Sequence, residues 1–135
     1  MLKLKIFILI PLICFLCSKC IDFALADNNK PLILKASWYS IESLKKEGTY
    51  KYSKGVMANG HKFKDNNFTC ATRLYPLGTW LQICNTKTNK NVRVKVTDRI
   101  SKRFAKTRID LSKSAFNQIA SLEQGITPVE IKVLK

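Results

Sequence analysis

TWLQICNTKTNKNVRVKVT, residues Thr79–Thr97, contains two alternating runs joined by a polar link. Thr79–Asn85 alternates apolar and polar residues, the period-2 pattern of a half-buried strand. Asn91–Thr97 alternates more cleanly and puts Val92, Val94 and Val96 on one face. Between them Thr86–Lys90 is polar throughout and reads as a hairpin connection. Working outward, Ile33–Tyr39 (ILKASWY) reads as a strand ending in two aromatics, and Val129–Leu134 (VEIKVL) alternates again and closes the domain. Ser112–Leu122 is the only good helix pattern. Ser112 is its N-cap, and Ala115, Phe116, Ile119 and Ala120 form an apolar stripe toward the core, with Gly125 as the stop. Ser40–Phe68 is long, polar and punctuated by Gly48, Gly55 and Gly60; a loop of that length in a small domain is usually functional or flexible. Short strands, one short helix and no βαβ rhythm define a mainly β domain, a small barrel or sandwich.

The 135 residues leave room for one domain. Residues 1–26 have the build of a secretory signal: Lys3 and Lys5 before an apolar stretch from Ile6 to Leu16, then Ala24-Leu25-Ala26 as a cleavage site. An uncleaved membrane anchor is the other reading, but Lys19 and Asp22 break the apolar run short of the roughly 20 residues a spanning helix needs. Residues 27–33 read as a polar leader and 34–135 as the folded domain. Cys14, Cys17 and Cys20 lie in the signal, which leaves Cys70 and Cys84. In an exported protein an even pair reads as a disulfide, with two free thiols as the alternative. No stable membrane anchor is expected after cleavage, and the product is expected to be a monomer in the periplasm or cell wall.

Losing Lys3, Lys5, Lys19 and Asp22 with the signal lowers the net charge from +15 to +13. Such a balance suits an anionic partner, although part of the lysine excess serves solubility alone. Export argues against nucleic acid and for an acidic wall polymer. His61 is the single histidine and reads as a surface residue, so a histidine-based metal site has no ligand set and no metal or other cofactor is expected. Neither a G-x-S-x-G elbow nor a phosphate-binding glycine loop is present. The carboxylates remain. Asp98 and Asp110 stand at the edges of strand-like runs, separated by Arg99, Lys102, Arg103, Lys106 and Arg108. Paired carboxylates in such a setting are the usual tools of acid/base chemistry on sugars, and also common structural ion-pair partners.

Ala36-Ser37-Trp38-Tyr39-Ser40, Glu47-Gly48-Thr49, Met57-Ala58-Asn59-Gly60, Phe68-Thr69-Cys70-Ala71, Pro76-Leu77-Gly78-Thr79, Val96-Thr97-Asp98-Arg99 and Arg108-Ile109-Asp110-Leu111-Ser112 occur in that order. In this the chain resembles the rare lipoprotein A (RlpA) family over Leu34–Leu134. The resemblance implies a six-stranded double-psi β-barrel, as in barwin and the expansins, and a lytic transglycosylase. Such an enzyme cuts peptidoglycan glycan strands between N-acetylmuramic acid and N-acetylglucosamine, prefers strands free of stem peptides, and leaves 1,6-anhydro ends. It implies Asp98 and Asp110 as catalytic residues. Trp38 and Tyr39 stack on sugars or fill the barrel mouth. Asn59 and Arg99 orient a carboxylate or bond sugar hydroxyls, and Thr72 holds an aspartate by a hydrogen bond. Two positions depart from the family pattern: Thr72 stands where many members carry histidine, and Ile100 where many carry glycine, so the loop after Asp98 is expected to run differently. A non-catalytic, expansin-like glycan-binding module and a barwin-like secreted protein with another target are the competing readings.

Overall fold

The computed structural model describes residues 31–135; the signal segment 1–26 and most of the leader lie outside the described residues. Six strands form a closed barrel: β1 Leu32–Tyr39, β2 Thr69–Ala71, β3 Trp80–Asn85, β4 Asn91–Asp98, β5 Arg108–Ser112 and β6 Ile126–Val133. Their order around the barrel is β1-β5-β2-β4-β3-β6. Two pairs are parallel, β1 with β5 and β2 with β4, and the others antiparallel, which is the double-psi arrangement. Closure leaves no unpaired strand edge.

Alternation decides which residues enter the barrel. Leu81 and Ile83 of β3 and Val92, Val94 and Val96 of β4 are buried, and they meet Ile109 and Leu111 of β5 and Val129 and Ile131 of β6. The hairpin link Thr86–Lys90 is organised by Asn85. Its buried amide donates to the Ile119 carbonyl (2.8 Å), and its Oδ1 accepts from the Lys87 N–H (2.9 Å). Asn89 supplies the positive φ, at 60°.

Three features differ from the sequence reading. β1 begins at Leu32, because Leu32 and Ile33 pair with Ile131 and Glu130 of β6, so the end of the expected leader belongs to the barrel. The expected helix is shorter, α3 Lys113–Asn117, and Gly125 instead ends a 3-10 turn at Leu122–Gln124. Ser112 does cap α3, accepting from the Ala115 N–H. The polar stretch before β2 contains two further short helices, α1 Ile41–Lys46 and α2 Thr49–Ser53. α1 starts at a capping box in which Ser40 and Ser43 bond reciprocally, a serine version of the usual Glu-containing box.

Cys70 and Cys84 are both free, which corrects the expected disulfide. They sit on β2 and β3, on either side of β4, opposite Val96 and Asn91. Five residues of strand separate those positions, about 16 Å, whereas a disulfide needs Cα atoms within about 7 Å. Cys70 is packed in the core, and burial pushes its thiol up to about 12.

Candidate active site

The barrel brings Asp98 and Asp110 into one row. Ser37 of β1 pairs with Asp110 of β5, Asp110 with Ala71 of β2, and Ala71 with Asp98 of β4. The two aspartates therefore flank Ala71 with their Cα atoms about 10 Å apart, two strand spacings. The small methyl of Ala71 leaves the space between the carboxylates open. Alternation along β4 would not put Asp98 in this row. A bulge between Cys70 and Ala71 skips Thr97 in the pairing and re-aims the next residue.

Both carboxylates line one cavity of about 530 Å³ on the outer face of β1, β5 and β2. The segment between β1 and β2 covers it with Leu44 and Glu47 from α1 and its end, then Val56, Met57 and Phe63. Tyr39 and Phe63 stack with ring centroids 4.5 Å apart, joining β1 to this cover. Asp98 is fixed from two sides: Oδ1 accepts from the Ala58 N–H of the cover (3.0 Å) and from the N–H of its own neighbour Arg99 (2.8 Å). The Asn59 N–H docks on the Thr97 carbonyl (3.1 Å).

Asp110 is differently placed. Its carboxyl accepts a hydrogen bond from the Ser37 hydroxyl. Burial raises its pKa above the ordinary 3.8, and the nearby Glu47 adds to this, while the Ser37 bond and the Arg108 charge oppose it. A carboxyl that resists ionisation beside one clamped by backbone N–H groups is the environment in which acid and charge-stabilising roles separate. The Tyr39 hydroxyl is buried with no hydrogen-bond partner, and burial together with the fields of Asp98 and Asp110 strongly disfavours its ionisation.

The other expected site residues divide. Trp38 borders the cavity, but its indole packs against the core and donates to the Leu122 carbonyl (3.1 Å), so it fills the barrel end rather than offering a free stacking face. Arg99 also borders it, yet Nη1 is spent on the Thr72 and Tyr75 carbonyls, both at 2.7 Å. Thr72 is fully buried behind Asp98; its hydroxyl accepts from the Leu74 N–H (3.2 Å) and holds no carboxylate. Asn59 does not line the cavity, because its Oδ1 accepts from the His61 N–H (3.0 Å) and shapes a turn. His61 is exposed, as expected. Ile100 is buried on the cavity wall without a positive φ, and its carbonyl is held by Arg73 Nε at 2.6 Å.

Ser37, Glu47 and Arg108 were not expected at the site. Ser37 was detectable, since it lies two residues before Tyr39 on the same face of β1. Arg108 was detectable in the same way, two residues before Asp110 on one face of β5. Its guanidinium rests on the Phe104 ring at 4.3 Å, a contact made only in the folded chain.

The closed six-stranded barrel with two parallel strand pairs defines a double-psi barrel, and it carries paired acids on its flank. A family model described as lytic transglycolase matches residues 33–131, and the chain belongs to that family. It is 37% identical over 78 residues to the endolytic peptidoglycan transglycosylase RlpA of Campylobacter jejuni, covering 57% of this chain and 28% of that protein. To the probable endolytic peptidoglycan transglycosylase RlpA of Aquifex aeolicus it is 33% identical over 101 residues, covering 74% and 40%. The chain thus spans well under half the length of these two relatives. Among solved structures it resembles the Streptomyces papain inhibitor (TM-score 0.60, 20% identity, 79% of this chain and 96% of that one). It also resembles a Clavibacter michiganensis expansin mutant in complex with cellohexaose (TM-score 0.57, 18% identity, 78% and 51%).

Proposed function

We propose that this protein is an exported endolytic peptidoglycan lytic transglycosylase acting in the periplasm or cell wall. It cleaves the bond between N-acetylmuramic acid and N-acetylglucosamine in strands free of stem peptides and leaves 1,6-anhydro ends. The observation that carries the reading is the convergence of Asp98 and Asp110 on one covered cavity, with Ala71 between them. Family membership and the names of the curated relatives support it.

In this mechanism Asp110, whose ionisation burial disfavours, gives its proton to the glycosidic oxygen as the bond to the muramic C1 breaks. Asp98, its Oδ1 held by two N–H groups, faces the positive charge that develops on the sugar ring. The muramic C6 hydroxyl then attacks C1 and passes its proton to the Asp110 carboxylate, which restores the acid. No water has to be positioned, so the second carboxylate need not act as a base, unlike the usual hydrolase scheme.

The test is digestion of stem-peptide-free glycan strands by the purified protein, with products read by mass spectrometry. Anhydro-muramyl ends that disappear in Asp110→Asn and Asp98→Asn are expected. Reducing ends would make the enzyme a hydrolase, and intact strands retained on sacculi would make it a binder. The non-catalytic, expansin-like reading draws on one specific observation: Thr72 is buried away from the cavity and His61 lies outside it, so no imidazole assists the acids.

A further inference from the structure

A second concave surface lies on the outer face of β4 and β3, beside the residues that lead into β2. It is an open groove of about 600 Å³ that shares no lining residue with the Asp98–Asp110 cavity. That size falls within the roughly 300–1,000 Å³ typical of ligand sites. Two large aromatics line it and stay in water: Trp80 keeps 44% of its surface exposed and Phe68 42%. Arg93 and Lys95 approach the Trp80 ring at 5.8 and 5.9 Å from its centroid, and no acidic residue lines the groove. The amides of Asn66 and Asn67 border it, and so does Thr69, which is 8% exposed and whose hydroxyl is buried without a partner.

This surface is held in place before any ligand arrives. Trp80 stands opposite Lys95 in the β3–β4 register, and the Lys95 N–H donates to the Phe68 carbonyl (3.1 Å). The Ser112 hydroxyl donates to the Asn67 carbonyl (2.6 Å). An indole flanked by cations attracts a ring-shaped anion, because the ring face takes C–H groups while the cations take the charge. The amides refine the class. Each offers donors and an acceptor, which suits sugar hydroxyls that also do both, whereas a phosphodiester only accepts.

We propose that this groove is a second, non-catalytic binding site for a carboxylate-bearing glycan strand. A sugar face stacks on Trp80, its carboxylate pairs with Arg93 and Lys95, and its hydroxyls bond to Asn66 and Asn67. The choice of polymer rests on the reaction proposed for the cleft; the groove itself takes no part in that chemistry.

The test is calorimetric titration of the full chain, carrying Asp110→Asn to stop turnover, with a stem-peptide-free muramic-acid tetrasaccharide. The neutral N-acetylglucosamine tetramer serves as control. Trp80→Ala and the double change Arg93→Glu/Lys95→Glu are each expected to weaken muramic-acid binding by about tenfold or more. Trp80→Phe retains most of the affinity, which separates lost stacking from misfolding. The charge reversal leaves binding of the neutral tetramer unchanged. Equal affinities within twofold across the variants would overturn the proposal. So would tighter binding of polyphosphate or of phosphatidylglycerol vesicles than of the glycan, because the groove would then be a general anion surface. Failure of the cleft reading looks different: no anhydro ends from the unmodified chain, while tetrasaccharide binding still depends on Trp80.

Discussion

The β3–β4 hairpin and the β1–β5–β2 wall use the same pleat to different ends. On both, alternate residues fill the barrel: Leu81, Ile83, Val92 and Val94 on one side, Ala36, Ile109 and Leu111 on the other. Their outward rows differ. On the hairpin that row holds Trp80, Gln82, Arg93 and Lys95 and is open to solvent. On the wall it holds Ser37, Asp110 and Ala71, and the segment between β1 and β2 closes over it. An acid on an uncovered face would be an ordinary solvated carboxylate. Under the cover Asp110 loses water and resists ionisation. The covering segment, more than the barrel, sets the environment of Asp110.

That contrast is broken most sharply by removing the acids. Asp110→Asn is expected to lower the rate of glycan cleavage by about 10²–10⁴-fold, the usual worth of a positioned proton donor. A comparable loss from Trp80→Ala on a short substrate would show that the two faces are not independent. Next in size is the core under the hairpin. Leu81→Ala should cost about 2–5 kcal/mol of stability in urea unfolding, with the cleavage rate per folded molecule unchanged, since Leu81 is fully buried away from the cavity.

A smaller effect comes from pH. Because the folded state holds the Asp110 proton above the ordinary 3.8, folded molecules bind more protons than unfolded ones between that value and the raised one. Stability therefore falls as pH rises through that window. Asp110→Asn removes this fall and raises the thermal midpoint at neutral pH. A variant less stable than the parent at pH 7 would contradict the burial argument. Cleavage should decline over the upper part of the same window as the acid ionises. Tyr39→Phe removes a buried hydroxyl that has no partner and should leave stability equal or higher by about 1 kcal/mol, measured by thermal unfolding. The smallest expected effect is that of a reductant, which should not move the midpoint at all because Cys70 and Cys84 are not joined.

Legibility in the sequence followed the length of each local signal. β3, β4 and β6 are six to eight residues long and announce themselves by alternation. β2 has three residues and β5 five, too few for a period to stand out, and each is a strand because it completes the closed barrel. Asp98 and Asp110 were found as acids at strand edges, and family motifs marked both. Thr72 and Asn59 were misjudged for a common reason. Their side chains satisfy nearby backbone groups, and proximity in a motif does not reveal which way a side chain turns.

Sequence alone determined the mainly β class, the inward-facing residues of the long strands and the family, and it singled out the two acids that line the cavity, because pattern and composition are local properties of the chain. Tertiary structure decided the rest. The bulge that skips Thr97, the row Ser37–Asp110–Ala71–Asp98, the cover over it and the separation of the two cysteines each depend on which strands become neighbours. That neighbourhood is set by closing the barrel around one shared core. No stretch of residues carries it alone.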